Sequence, residues 1–216
     1  MTPNQVTVAR IGTAFLAVAL FSSGSHVFAV DVTAIALTVA AMALDGVDGY
    51  LARARGLATP LGAKIDVLGD RVVENLFFTC FAASGLISLW VPVLFFGRGA
   101  LTDFLSGLAA RAGFGQNPMG ATRWGRSLVA SRTSRAGYAA LKCVCFCYLG
   151  FLLSLRHMAA PNRWFTLTGA GWLVTIAQAI TLLTVVFCIV RAIPVVWEGR
   201  RYLTGVPKGA AAVLGR

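Results

Sequence analysis

The sequence predicts an all-α integral membrane protein with about six transmembrane helices, and three observations carry this expectation. Hydrophobic residues fill 57% of the 216 positions and charged residues only 12%, a balance outside the range of soluble globular domains. The mean hydropathy is +0.76. The apolar residues fall in runs long enough to cross a bilayer, which takes roughly 20 residues of helix, and short polar or Gly- and Pro-containing breaks separate the runs. A chain of this length holds such helices and little else. The expected organisation is one six-helix membrane domain over residues 1–199 and a basic cytoplasmic tail over residues 200–216.

Taken in order, the first span runs from Asn4 to Ser23 and carries one charge, Arg10. Arg10, the apolar run and the small-residue pattern "VFA" ending at Ala29 also fit a signal peptide. A span is the better reading, because losing it leaves an odd number of helices and breaks the charge alternation described below. The second span, Asp31 to Arg53, ends in an acidic stretch, and the third, Leu61 to Leu86, begins in one. The fourth, Ser88 to Arg111, follows so closely that a tight helical hairpin is expected. The longest polar connection, Gly113 to Ser134, leads to the fifth span, Arg135 to Arg156, and the sixth covers Thr166 to Pro194.

The formal net charge is +11, from 19 Lys and Arg against 8 Asp and Glu. Nucleic acid and anionic lipid both suit such a charge; the hydrophobicity selects membrane lipid and excludes nucleic acid. Arg10, Arg53, Arg55, Lys64, Arg111, Arg123, Arg126, Arg132, Arg135, Arg200, Arg201 and Lys208 fall at alternate ends of the spans, and only Arg156 and Arg163 at the opposite ends. Basic loops stay on the cytoplasmic side. Both termini and the acidic stretch are therefore expected to face the cytoplasm, in a multi-pass protein of the cytoplasmic (inner) membrane. The five cysteines, Cys80, Cys143, Cys145, Cys147 and Cys188, lie within apolar runs and read as small apolar fillers. Cys143 and Cys147 share a helix face, but no fourth soft ligand lies near them in sequence.

Against this background the four aspartates of Ala43 to Arg71, "ALDGVDGYLARARGLATPLGAKIDVLGDR", need a reason. Asp45 and Asp48 are spaced i, i+3 and Asp66 and Asp70 i, i+4, so each pair projects from one face of its own helix. A short link brings the pairs together. One aspartate near the centre of a membrane helix costs about 2.5 to 3.5 kcal/mol, and converging carboxylates repel one another besides. Positive charge must sit among them. Rigidly held oxygen ligands suit Mg²⁺ or Mn²⁺, and four carboxylates suffice for two such ions, which neutralise phosphate oxygens and serve phosphoryl or phosphatidyl transfer. Gly49, Gly62 and Ala52 leave room for a ligand near the backbone, and Arg53 offers a planar fork of donors to a pyrophosphate. The plainer reading is a helix pair held by salt bridges, Asp66 or Asp70 with Lys64 or Arg71. It leaves the glycines without a purpose.

Read in order, Asp45, Asp48, Gly49, Ala52, Arg53, Gly62, Asp66 and Asp70 match D-x2-D-G-x2-A-R-x8-G-x3-D-x3-D. The chain thereby resembles the CDP-alcohol phosphatidyltransferases, and its length and six expected spans are similar to theirs. The resemblance implies their six-helix membrane fold, a homodimer, and displacement of CMP from CDP-diacylglycerol by a small polar alcohol. It also implies that Asp45, Asp48, Asp66 and Asp70 ligate two divalent cations, Mg²⁺ or Mn²⁺, with Asp70 doubling as the catalytic base. By the same resemblance Gly49, Ala52 and Gly62 line the cytidine pocket and Arg53 holds the diphosphate.

The core motif does not encode the acceptor. "TPNQVTVAR", Thr2 to Arg10, and "FFGRGALTDFL", Phe95 to Leu105, resemble segments of the phosphatidylglycerophosphate synthases. Asp70 followed by Arg71, and "VRAIPVVW", Val190 to Trp197, resemble the phosphatidylinositol phosphate synthases. The Gly113 to Ser134 connection departs from the former, being long and lacking their Gly-Lys-x-Lys-Thr element. Arg98, Arg135, Lys142 and Arg191 lie in or at the edges of helices, where a cation usually lines a polar cavity. They are candidates for holding an acceptor phosphate, so a phosphorylated polyol is expected, glycerol 3-phosphate ahead of inositol 1-phosphate. The plainer alternative pairs Arg98 with Asp103 and lets Arg135 and Arg191 snorkel to the interface. Two competing functions remain: a divalent-cation transporter, for which Gly49, Gly62 and Arg53 have no use, and an inactive membrane scaffold, against which the intact motif counts.

Overall fold

The computed structural model describes residues 3–25, 27–54, 60–111, 131–159 and 171–203. Among these the regular structure is six helices: α1 (Pro3–Ser22), α2 (Phe28–Ala54), α3 (Pro60–Ala83), α4 (Trp90–Arg111), α5 (Arg132–Ala159) and α6 (Gly171–Leu203). The all-α expectation holds, one helix per apolar run. Four of them, α1, α2, α5 and α6, are long and apolar enough to cross a membrane. α3 falls short because Lys64, Asp66, Asp70, Arg71 and Glu74 interrupt it, and α4 carries Arg98, Asp103 and Arg111.

The boundaries differ most at α6. The apolar pattern stops at Pro194, yet the helix runs through it to Leu203. A proline removes one helical hydrogen bond and crowds the preceding turn. Here the turns beyond it are packed: Val195 is buried, and a Cβ on Gly199 would stand 2.9 Å from Cδ1 of Leu105. The Gly113 to Ser134 connection lies outside the described residues except at its end, where Ser131 caps α5. Its Oγ accepts from the Ser134 N–H (3.1 Å) and its carbonyl from the Arg135 N–H (3.2 Å), satisfying two donors of the first turn.

The chain divides into two compact units, residues 1–93 with 141–182 and residues 94–140 with 183–216. In the first, α1 lies against both α2 and α3. Between membrane helices the lipid supplies no hydrophobic drive, so small residues and close packing hold them together. Ala14, Ala17, Ala34 and Ala41 are fully buried for this reason. Around them Phe21, Phe77, Phe78, Phe81 and Phe146 form an aromatic cluster, with Phe146 edge-on to Phe78 at 4.9 Å between centroids. Gly150 admits the ring of Phe21, whose Cζ would lie 2.8 Å from an added Cβ. Gly150→Ala is therefore expected to lower the thermal midpoint in detergent, overpacking costing about 1–3 kcal/mol. Gly12→Ala, into open space, is expected to leave the midpoint unchanged or slightly raised.

Polar fastenings close the other end of this unit. α3 ends in a left-handed glycine cap: Gly85 has φ +73°, its N–H reaches the Ala82 carbonyl (2.9 Å), and the Leu86 N–H reaches that of Phe81 (3.1 Å). Arg156 of α5 donates to the neighbouring Ser84 carbonyl. Asp31, buried in the first turn of α2, meets Nδ1 of His157 in the last turn of α5 at 3.0 Å. A carboxylate at a helix start and an imidazole at a helix end each suit the helix dipole. Cys80, Cys145 and Cys188 are buried and all five cysteines are free thiols, as apolar fillers would be.

Candidate metal and active site

The site grows from the register of α3. Asp66, Asp70 and Glu74 recur every fourth residue and so line one helix face. Asp45, near the C-terminal end of α2, meets this face from the other side. One carboxylate oxygen from each of Asp45, Asp66 and Asp70 lies within 4.8 Å of the other two. Hard cations bind oxygen at about 2.0 to 2.6 Å, so oxygens this far apart can share one ion. The aspartates are half-exposed, their side chains 32%, 42% and 42% accessible. The donor set and its spacing fit a divalent cation.

A third helix contributes the charge that the carboxylates need. Arg10 of α1 is 1% exposed and reaches all three aspartates. Nη1 contacts Asp45 and donates to Asp70 at 3.0 Å. Nη2 stands 3.5 Å from the Asp66 carboxylate and donates to the Asp66 main-chain carbonyl at 3.3 Å. Gly69 makes the approach possible: a Cβ there would lie 2.6 Å from Nη2 of Arg10 and 2.7 Å from Cγ2 of Thr7. The plainer reading pairs Asp66 or Asp70 with Lys64 or Arg71; the structure brings both aspartates to Arg10 of α1. Arg71 instead stands 3.5 Å from Glu74.

Beneath the aspartates, Glu74 is buried and Nζ of Lys142 on α5 lies 3.5 Å from its carboxylate. A small cavity opens here, lined by Arg10, Asp45, Asp70, Glu74, Lys142 and Phe146 among others. Asp48, Gly49, Ala52 and Arg53 occupy the last turns of α2, and their side chains lie outside the described residues. Gly62 sits in the first turn of α3.

The candidate phosphate-binding cations divide. Lys142 belongs to the first unit, on Glu74. Arg98, Arg135 and Arg191 belong to the second. Arg191 is 9% exposed. Its Nη1 donates to Ser134 Oγ at 2.7 Å, and its guanidinium lies over the Tyr138 ring at 5.4 Å. Nε of Arg98 is buried with no hydrogen-bond partner among the described residues. Arginines of this kind suit an anion.

Arg10, Gly69 and Glu74 are the members that sequence reasoning did not assign to the site. Glu74 continues the i+4 series begun by Asp66 and Asp70, a signal present in the sequence. Arg10 ends the Thr2 to Arg10 segment, whose resemblance marks it, but nothing in spacing links it to residues 35 to 60 positions away.

Three helices bring an arginine and three carboxylates together within a helical membrane protein, a polar centre whose oxygens lie closely enough to share a cation. The chain belongs to the CDP-alcohol phosphatidyltransferase family, whose profile matches residues 1–190. It is also 36% identical over 80 residues to proteins named "Probable phosphatidylglycerophosphate synthase" from Mycobacterium tuberculosis, strains CDC 1551 / Oshkosh and H37Rv. Those alignments cover 37% of this chain and 38% of each relative. No solved structure matches the chain significantly.

Proposed function

We propose that this protein is a metal-dependent phosphatidyltransferase that moves a phosphatidyl group from CDP-diacylglycerol to the hydroxyl of a phosphorylated polyol, glycerol 3-phosphate first, releasing CMP. The observation that carries the reading is the convergence of Asp45, Asp66 and Asp70, joined by Asp48 one turn from Asp45. These four would hold two divalent cations, Mg²⁺ or Mn²⁺, which when bound neutralise the diphosphate and ease departure of CMP. Arg53 would hold the diphosphate, and Gly49, Ala52 and Gly62 would admit the cytidine. Asp70 takes the acceptor's hydroxyl proton; the acceptor oxygen forms its bond to the phosphatidyl phosphorus as the bond to CMP breaks, and CMP leaves with the electron pair. The names of the relatives favour glycerol 3-phosphate. Inositol 1-phosphate is the alternative acceptor, supported by the Asp70–Arg71 pair and Val190 to Trp197.

Purified protein given CDP-diacylglycerol, Mg²⁺ or Mn²⁺ and separate acceptors is expected to release CMP with a phosphorylated polyol and not with free glycerol, inositol or serine. Nucleotide-independent cation flux in proteoliposomes, with no CMP release, would replace this reading by a transporter. Arg98, Arg135 and Arg191 would seat the acceptor phosphate, with Lys142 as a further candidate. On that assignment Arg191→Ala raises the acceptor's KM roughly 10-fold to 100-fold, the loss of a charged hydrogen bond of about 1.5–3 kcal/mol. The KM for CDP-diacylglycerol stays within about two-fold, since uniform loss would indicate damage to the fold. The membrane setting we propose is the cytoplasmic membrane, with residues 1–199 as a single membrane domain, the basic tail 200–216 and the site on the cytoplasmic side, and a homodimer as the working unit. The charge asymmetry supports the orientation, and exposed Trp90 and Trp172 at the starts of α4 and α6 suit the opposite interface. Native mass spectrometry and protease protection test these points.

A further inference from the structure

Arg10 and a divalent cation require the same oxygens. The guanidinium touches Asp45, Asp66 and Asp70, and these are the groups placed closely enough to share an ion. It is wedged there by the space at Gly69 and is itself 1% exposed, while the aspartates remain open to solvent. Its Nε is buried without a hydrogen-bond partner among the described residues, so its hold on the site rests on the two terminal nitrogens. We infer that Arg10 is a resident counter-cation that competes with divalent metal for the three aspartates and thereby couples metal uptake to the arrival of an anionic substrate. This rests on the metal-dependent reading of the site.

Two physical steps carry the inference. Each carboxylate lone pair that accepts an arginine N–H is withdrawn from a metal, and a fixed positive charge a few ångströms away further disfavours a second cation. Arg10 therefore weakens metal binding, the opposite of what a ligand does. A buried guanidinium that loses its carboxylates must find another anion. In a chain so poor in acidic residues, the diphosphate of the donor is the anion that the proposed reaction brings to this site. Donor and metal then bind cooperatively, because the donor relieves the competition.

The test is Mn²⁺ binding to purified protein, followed by electron paramagnetic resonance of free Mn²⁺, with and without CDP-diacylglycerol. Wild type is compared with Arg10→Met and with Arg10→Gln, which removes the charge but keeps a hydrogen-bond donor. In the absence of donor lipid both variants are expected to bind Mn²⁺ about 10-fold more tightly than wild type, as removal of one nearby like charge predicts. The tightening that CDP-diacylglycerol gives to wild type shrinks in both. Equal or weaker Mn²⁺ binding in whichever variant retains the wild-type helical circular dichroism overturns the inference, as does an undiminished effect of the donor. Failure of the metal reading itself looks different: wild type then binds no Mn²⁺, or Asp45→Asn and Asp66→Asn leave its binding unchanged.

Discussion

Asp70→Asn is expected to lower CMP release by roughly 10²- to 10⁴-fold, the range that loss of a general base produces. The change removes a charge and leaves volume and helix intact, so the purified variant should keep its helical circular dichroism and thermal midpoint. Asp70 also touches Arg10, which remains held by Asp45 and the Asp66 carbonyl. Asp66→Asn provides the comparison, since it removes a proposed ligand without removing the base. Raised Mg²⁺ should recover part of the activity of Asp66→Asn and little of that of Asp70→Asn. Full turnover by Asp70→Asn would remove this residue from the chemistry.

Glu74→Ala is expected to be the most damaging single change to stability. Glu74 is buried and serves Arg71 and Lys142 together at 3.5 Å each. Removing one member of a buried charge pair costs about 3–5 kcal/mol, because the other charge stays behind desolvated. The double variant Glu74→Leu with Lys142→Met should regain much of the loss, since well-packed apolar groups often replace a buried pair at no cost. Thermal unfolding in a mild detergent measures both. If the double variant is as unstable as the single one, packing around Glu74 matters more than its charge.

Six helices were legible because apolar runs stand apart from polar links, and α1, α2, α5 and α6 are also long and apolar enough to cross a membrane. Their ends were less so. Pro194 reads as a stop, and only the packing of Val195 and Gly199 against their surroundings carries α6 further. The three aspartates were legible for a related reason: i, i+3 and i, i+4 spacings fix a helix face without knowledge of the fold. What lies across from that face was not. Arg10 joins the site because α1 packs on both α2 and α3, and Gly69 matters only because Arg10 is there. Glu74 was readable in the α3 series but carries meaning only once Lys142 of α5 is found beside it.

The fastening of Ser84 by Arg156 has a consequence for where chemistry occurs relative to lipid. From Asp70 to Ser84 a helix rises about 21 Å, against a hydrocarbon core of about 30 Å. On the proposed orientation, the Ser84 end lies toward the outer surface and Asp70 would rest about 9 Å below the cytoplasmic one. On the proposed reaction the donor lipid would then keep its acyl chains among their neighbours while the phosphates alone turn inward, and a water-soluble alcohol would have only the outermost part of the hydrocarbon layer to cross to meet them.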